Sequence, residues 1–236
     1  SKAQAMIMAG QVFVNEKRIS KSGDLIETNS IIRTIKLHPE WVSRGSLKLI
    51  HALNKFGFNI ENLVCLDIGA STGGFSEVLL KYKANKVYSV DVGTNQLNEK
   101  LKKEKRIINI EKTNARYLSE EIIDQKIDLI VCDVSFISMK KVLKPNLKFL
   151  KKNTGKVIGL IKPQFEASKS EVKKGGLIID KLIHKRICDD YINWFDKFCD
   201  MEVIGIIESP IKGQKGNIEF LIAAKFKSQK SKTVIS

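Results

Sequence analysis

Short apolar segments alternate with helical patterns from Leu63 onward, and this alternation constrains the fold of the 236-residue chain more than any other feature. The segments that fit strands are residues 64–68, 86–91, 107–111, 128–132, 157–161, 202–207 and 218–226. Helical patterns lie between them at residues 74–82, 95–103, 139–150 and 180–198. Strands that alternate with helices predict an α/β domain, in which helices cover both faces of a mainly parallel sheet.

The connection between the last two candidate strands reverses the chain direction. Only "SPIKGQKGN" separates them, which is too short for the helical crossover that two parallel strands need. We therefore expect a hairpin and an antiparallel final strand. A seven-stranded sheet whose last strand is antiparallel is typical of the Rossmann-like methyltransferase fold, whereas dinucleotide-binding folds keep the sheet parallel.

The first 36 residues follow a different pattern. A short helix at residues 3–9 precedes short strands near 12–14 and 31–35. "AQAMIMAGQVFVNEKRI" resembles the later portion of the ribosomal-protein-S4-like RNA-binding domain, without that domain's first helix. The chain is thus predicted to contain a partial, truncated S4-like RNA-binding module (1–36), a linker (37–42), a catalytic domain (43–228) and a basic tail (229–236).

The charge balance indicates the class of partner. Lys and Arg outnumber Asp and Glu by 41 to 26, for a formal net charge of +15. This excess indicates a polyanion, nucleic acid first and an anionic membrane surface second. We interpret eight basic residues as contacts to RNA phosphates, with ordinary solvated charge as the alternative. They are Lys2, Lys17, Arg18, Lys21, Arg44, Lys55, Lys173 and Lys174.

Two further basic features have the same two interpretations. A helix predicted at residues 43–56 spaces Arg44, Lys48, His51 and Lys55 so that they form one basic stripe, which faces nucleic acid or only water. The connection at residues 166–176, "EASKSEVKKGG", is either a lid that orders over RNA or a solvated loop.

Membrane insertion and metal binding are not expected. No apolar run approaches the roughly 18 residues of a membrane span, and no signal peptide precedes the first motif. The four cysteines are scattered, without a close pair or a nearby His cluster, which argues against zinc and against a disulfide framework. We expect a cytoplasmic protein.

The glycine-rich turn "CLDIGASTGGFSEVL" predicts a cofactor site. Its glycines let the backbone turn sharply and approach a ligand closely. An acidic residue two positions before the first glycine suits a cationic amino-acid headgroup such as that of S-adenosylmethionine. Asp91 ends the next strand, where a carboxylate can bind ribose hydroxyls, and Asn114 follows the third strand, where an amide can bind adenine; a cap and a turn residue are the alternatives. The predicted contacts are Asp67, Gly69, Ser71, Gly73, Gly74, Asp91, Asn114 and Asp133.

Four charged residues are predicted to meet at one edge of the sheet. Asp133 follows the fourth strand and Lys162 the fifth, and ligands of open α/β sheets lie beyond these strand ends. Glu219 begins the reversed strand, which starts at the edge where its parallel neighbours end. Lys48 comes from the helix that precedes the first strand of the sheet.

These residues carry a family resemblance. Lys48, Asp133, Lys162 and Glu219 match the K-D-K-E tetrad of FtsJ-like RNA 2'-O-methyltransferases. "CDVSFIS", "KPQFE", "VKKGGLIID" and "SPIKGQKGNIEFL" resemble the TlyA (haemolysin A) family within that group. The resemblance implies S-adenosylmethionine as cofactor and a cytidine of ribosomal RNA as substrate, in the large-subunit 23S RNA first and the small-subunit 16S RNA second.

The residue types suit transfer of a methyl group to a ribose 2'-hydroxyl. The hydroxyl is a poor nucleophile until its proton is withdrawn, and a lysine acts as a base only when desolvation or a neighbouring cation lowers its pKa. We hypothesise that Lys162 accepts the proton or stabilises the alkoxide, that Lys48 is the neighbouring cation, and that Asp133 and Glu219 orient the two lysines.

Three other functions explain less of the sequence. A non-catalytic RNA-binding protein accounts for the charge but not for the tetrad. A base methyltransferase accounts for the cofactor site, but the chain lacks an N-P-P-Y-type strand end, and Cys132 lacks the prolyl-cysteine context of a pyrimidine C5 nucleophile. A pore-forming haemolysin needs a membrane-spanning stretch, and none is found in the sequence.

Overall fold

A computed structural model describes residues 3, 6–7, 12–19, 21–34, 41–173, 175–213 and 216–227. The chain divides into two compact units, Ser1–Arg44 and Gly45–Ser236. Lys2, Lys174, most of the predicted linker and all of the predicted basic tail lie outside the described residues.

The first unit contains a three-stranded antiparallel sheet. Its strands are β1 (Val12–Val14), β2 (Lys17–Arg18) and β3 (Ile32–Thr34), in the order β2-β1-β3. The side chains of Val12 and Val14 are buried, as the alternation in the sequence predicts. Of the helix predicted at residues 3–9, the described residues Ala3, Met6 and Ile7 are helical.

The second unit contains one seven-stranded sheet in the order β6-β5-β4-β7-β8-β10-β9. Strand β10 runs antiparallel to both of its neighbours, and the other strand pairs are parallel. The predicted hairpin and reversed last strand are therefore confirmed. The strands are β4 (Val64–Ile68), β5 (Lys86–Val90), β6 (Ile107–Ile110), β7 (Leu129–Cys132), β8 (Lys156–Ile161), β9 (Met201–Glu208) and β10 (Phe220–Phe226).

Six helices accompany the sheet in the described part of this unit. They are α1 (Ser46–Phe56), α2 (Gly74–Lys81), α3 (Glu99–Lys102), α4 (Met139–Asn146), α5 (Pro163–Glu166) and α6 (Lys181–Phe198). Short 3-10 turns follow β6 at Ala115–Tyr117 and follow α4 at Leu147–Phe149.

Three helices are shorter than predicted by three or more residues. Helix α3 begins at Glu99 rather than at Asn95, because the Asn98 side chain caps it by accepting a hydrogen bond from the backbone N–H of Lys100 at 3.0 Å. Helix α4 contains Pro145 in its last turn and ends one residue later, before the 3-10 turn. Helix α1 begins at Ser46, three residues after the predicted start.

The core lies between the sheet and its helices. Every residue of β4 and β7 is buried, as expected for parallel strands covered on both faces. At the amino edge of the sheet the Asp128 carboxylate accepts a hydrogen bond from the Val64 N–H at 2.9 Å and pairs with Lys151 at 2.8 Å. This contact ties the starts of β4 and β7 together.

Strand β10 is held differently on its two sides. Against β8 its register is unbroken, from Phe220 opposite Ile161 to Lys225 opposite Lys156. Against β9 the register shifts between Ala223 and Ala224, which marks a bulge in the outer pairing. The inner pairing therefore fixes where β10 begins.

Truncation of a central-strand leucine will test this core. Leu66 of β4 is completely buried, so Leu66→Ala should lower the free energy of unfolding by roughly 2–5 kcal/mol through lost burial and a residual cavity. Leu182 of α6 is 76% exposed and is the matched control, with an expected change within about 0.5 kcal/mol. Urea titration measures both variants, and equal losses would contradict the assignment of the core.

Candidate active site

Four charged side chains meet at the carboxyl edge of the sheet. Lys162, which follows β8, places Nζ 2.6 Å from Oδ1 of Asp133, which follows β7. Lys48 of α1 places Nζ 3.7 Å from Oδ2 of Asp133 and 2.7 Å from Oε2 of Glu219. The structure thus brings the four predicted catalytic residues into one chain of ion pairs, Glu219–Lys48–Asp133–Lys162.

The burial of Lys48 corrects one prediction. Lys48 is only 8% exposed, whereas Lys55 on the same helix is exposed. Its side chain therefore belongs to the buried cluster, and the single basic stripe predicted for this helix is wrong at that position. Periodicity predicted the position of Lys48 on the helix correctly. It could not show that the side chain at this position is buried.

A carboxylate lies between the two lysines of the cluster. Asp133 lies between the two lysines and faces each with a different oxygen. Burial opposes ionisation of Asp133, but the charges of Lys48 and Lys162 outweigh it and hold the pKa of Asp133 below its ordinary value. Asp133 is therefore an anion that bridges and orients the two lysines.

Glu219 is held by its neighbours in the hairpin. It precedes β10 and is 2% exposed. The backbone at Gly213 packs so closely against the Glu219 carboxylate that a β-carbon there would overlap it. Nearby, buried Asn217 donates from Nδ2 to the carbonyl of Gly176 at 2.8 Å and accepts from the N–H of Ile178 at 3.0 Å. Sequence reasoning missed Asn217, although its motif was noted.

The loop that follows β7 contributes two more side chains. Ser135 accepts a hydrogen bond from Lys162 Nζ at 2.8 Å, which lengthens the polar chain by one member. Phe136 has a left-handed backbone (φ 66°) and is 85% exposed, and its ring lies 5.2 Å from that of Phe165. Both residues were present in the "CDVSFIS" motif, but only its aspartate was predicted to act.

The glycine-rich turn lies against the end of β5. The N–H groups of Gly69 and Ala70 both donate to the carbonyl of Val90, at 2.9 and 3.1 Å. Gly73 adopts φ 93°, a conformation that favours glycine, and is the N-cap residue directly before α2. These contacts position the predicted residues Gly69, Ser71, Gly73 and Gly74 as one turn at the carboxyl edge of the sheet.

Asp91 and Asn114 both have local partners. The Asp91 carboxylate accepts from the N–H of Ser71 at 2.8 Å and from that of Gly93 at 2.7 Å, so it joins the glycine-rich turn to the loop after β5. A carboxylate has about four acceptor sites, which leaves capacity for ribose hydroxyls. Asn114 uses its oxygen to cap the 3-10 turn by accepting from Arg116, so its predicted contact with adenine remains a prediction.

Asp67 lies beneath the glycine-rich turn rather than on its surface. It is fully buried, and one oxygen accepts a 2.6 Å hydrogen bond from Ser76. Its other oxygen has no hydrogen-bond partner among the described residues. Burial raises the pKa of Asp67 to about 7, against the opposing effect of the Ser76 hydrogen bond.

The turn and its acidic neighbours fit S-adenosylmethionine. The Asp67 oxygen without a partner is an acceptor site below the turn, which suits a cationic headgroup above it. Asp91 lies at the next strand end, where a ribose would be held.

Of the eight predicted RNA contacts, six are described. Lys17, Arg18, Lys21, Lys55 and Lys173 are exposed and Arg44 is half-buried, while Lys2 and Lys174 lie outside the described residues. The connection predicted as a lid is anchored within its length, because Glu171 accepts from Ser168 at 2.8 Å and pairs with Arg186 at 2.7 Å. Binding of RNA by these residues remains a prediction.

The pH dependence of stability will test the state of Asp67. A carboxyl with a folded pKa near 7 and an ordinary value of 3.8 makes the folded state lose stability as the pH rises between these values. Asp67→Asn removes this loss. Relative to the unmodified chain, the variant should gain unfolding free energy on the order of 2 kcal/mol between pH 5 and pH 7. Chemical denaturation at several pH values measures the difference, and a difference independent of pH would refute the buried-acid interpretation.

The sheet with its reversed last strand, the glycine-rich turn and the four-residue cluster define a methyltransferase. The chain belongs to the FtsJ-like methyltransferase family, whose model matches residues 41–226.

Relatives and a solved structure agree with this assignment. The chain is 43% identical to hemolysin A of Brachyspira hyodysenteriae, over 94% of this chain and 91% of that protein. It is 35% identical to the 16S/23S rRNA (cytidine-2'-O)-methyltransferase TlyA of Mycobacterium tuberculosis, over 93% of this chain and 82% of that protein. A solved structure from Streptococcus thermophilus that carries the hemolysin name superposes with a TM-score of 0.79 at 37% identity, covering 96% of this chain and 83% of the other.

Proposed function

We propose that the protein is a cytoplasmic enzyme that uses S-adenosylmethionine to methylate the 2'-hydroxyl of a cytidine in ribosomal RNA. The observation that carries the proposal is the position of Lys162 at the end of β8. Its Nζ is 2.6 Å from Asp133 and lies at the same sheet edge as the glycine-rich turn. The activity in the name of the mycobacterial relative supports the choice of nucleoside and of RNA class.

The cofactor would be held by the turn and its acidic neighbours. We assign the headgroup to the turn that contains Gly69 and Gly73, with Asp67 beneath it, and the ribose to Asp91. When bound, S-adenosylmethionine supplies a methyl group that needs no activation by the protein. The residues of the protein therefore have two tasks, which are to align the ribose hydroxyl and to withdraw its proton.

We assign to Lys162 the role of accepting the proton of the ribose hydroxyl or of stabilising the alkoxide. Its side chain is only 10% exposed, so water competes weakly for the ammonium or amine at that point. Asp133 fixes Nζ from one side and Ser135 from another, which aims the group at one place on the sheet edge. Lys48, held by Glu219, supplies the second cation of the cluster and stabilises negative charge that develops on the oxygen.

The exposed surface near the cluster suits RNA. Phe136 directly follows Ser135 of the cluster and presents an exposed aromatic ring, and unstacked bases of RNA commonly stack on such rings. Exposed lysines such as Lys55 and Lys173 would neutralise phosphates without reading sequence. The target nucleoside is therefore assigned to the Phe136 side of the site and the RNA backbone to the basic surface.

Replacement of Lys162 will test the chemistry. Lys162→Ala should lower the methyl-transfer rate by roughly 10²–10⁴-fold while cofactor binding persists, because general-base assistance is lost and the glycine-rich turn is intact. Lys156→Ala is the matched control, since Lys156 begins the same strand at its opposite end. Transfer of labelled methyl groups to unmodified ribosomal subunits gives the rate, and calorimetry gives cofactor affinity. Near-normal turnover by Lys162→Ala would exclude the assignment.

The position of the methyl group will test the substrate. The 16S and 23S RNAs from the same reaction are separated and mapped for ribose methylation by resistance of the adjacent linkage to alkali. A 2'-O-methylcytidine in either RNA supports the proposal, with 23S RNA expected first. A methyl group on a base would instead show a base methyltransferase.

The hemolysin name of one relative motivates a parallel assay. None of the helices in the described ranges is long and apolar enough to cross a membrane. Release of haemoglobin from erythrocytes by the purified chain, with no transfer to RNA, would reject the proposed enzyme in favour of a cytolysin. RNA binding without transfer would indicate a non-catalytic RNA-binding protein.

A further inference from the structure

The loop after β7 and the segment after β8 are joined along their whole length. We call residues 133–138 the β7 tip and residues 162–166 the β8 tip. At one end Lys162 contacts Asp133 at 2.6 Å and Ser135 at 2.8 Å. In the middle the rings of Phe165 and Phe136 are 5.2 Å apart. The remaining contact, at the far end, is made by Glu166.

Glu166 connects three separate elements. Its Oε2 accepts from the Ser138 hydroxyl at 2.8 Å, and its Oε1 accepts from the Met139 N–H at 3.0 Å, at the first turn of α4. Oε1 also accepts from the hydroxyl of Tyr191 on α6 at 2.7 Å. Tyr191 is completely buried, so this third contact anchors the β8 tip to the core.

The backbone of the β7 tip needs such an anchor. Phe136 adopts φ 66°, which is unfavourable for a bulky residue and persists only where the surroundings enforce it. The tip begins at Asp133, the carboxylate that bridges both lysines, and ends at Ser138, which Glu166 holds. A shift of the tip would therefore move Asp133 relative to Lys162.

We infer that Glu166 is a positioning residue for methyl transfer: it holds the β7 tip so that Asp133 and Ser135 keep Lys162 aimed at the substrate hydroxyl. The inference rests on the proposed function for the identity of the reaction. The alternative is that Glu166 only stabilises the fold, as a carboxylate at the start of a helix commonly does.

A pair of substitutions at Glu166 separates its contacts from its charge. Glu166→Ala removes both acceptor oxygens and with them all three hydrogen bonds. Glu166→Gln keeps the three contacts, because the amide oxygen still accepts from Met139 and Tyr191 while the NH₂ group donates to the Ser138 hydroxyl. We expect kcat to fall roughly a hundredfold in the alanine variant, as for a misplacement of about 1 Å, and to stay near normal in the glutamine variant.

Asp128→Ala supplies the matched control for stability. Asp128 is also a carboxylate that holds a backbone N–H and a side chain, but at the amino edge of the sheet. Thermal unfolding and cofactor affinity are measured for all variants, and kcat is measured well below the unfolding midpoints. If Glu166→Ala and Asp128→Ala lose stability to a similar extent but only the former loses kcat, the positioning role is supported. Equal kcat values in the two variants would overturn it.

Hydrogen exchange gives a readout that does not depend on activity. Amides of residues 134–139 should exchange faster in Glu166→Ala than in the unmodified chain and in Glu166→Gln, because the Met139 N–H loses its acceptor. Unchanged exchange there would also overturn the inference. If the unmodified chain transfers no methyl group to ribose, the proposed function fails, and the exchange comparison still decides whether Glu166 holds the tip.

Discussion

The carboxylate of Asp133 between Lys48 and Lys162 is the interaction on which the rest of the site depends. Charges removed from water are tolerated only when they are paired, and here two carboxylates and two lysine side chains form one alternating chain. Loss of any member would leave an uncompensated charge on its neighbour. The stability of the cluster is therefore coupled to its geometry, because the pairs that make its burial tolerable are also the pairs that orient the two lysines.

Much of this arrangement could be predicted from the sequence because a parallel sheet brings strand ends together. Asp133 and Lys162 directly follow apolar strands, so their meeting at one edge follows from the pattern of strands alone. Glu219 joins them because the short hairpin forces β10 to run in the opposite direction and to begin at that edge. Periodicity and connection length therefore sufficed for the fold and for the meeting of Asp133, Lys162 and Glu219, whereas Lys48 was joined to them through the family resemblance.

Other parts of the site depend on contacts that no local pattern reveals. Glu166 meets Tyr191 across 25 positions, and Asn217 meets Ile178 across 39, so each pairing is decided only when the chain has packed. The burial of Lys48 could not be predicted for the same reason. The sequence does not show whether a basic residue of a helix faces water or a distant carboxylate such as Glu219. Asp67 was recognised by its spacing to glycine, but its depth beneath the turn was not.

The bulge between β9 and β10 has a consequence for how the protein tolerates change. A residue added or deleted in β9 at this bulge would change the pairing of Ala224–Phe226, beyond the point where the register already shifts. The inner pairing, with Phe220 opposite Ile161, is left intact, and it is this pairing that sets Glu219 beside the end of β8. The irregular outer pairing of the sheet is in this way separated from the charged cluster by the unbroken pairing between β10 and β8.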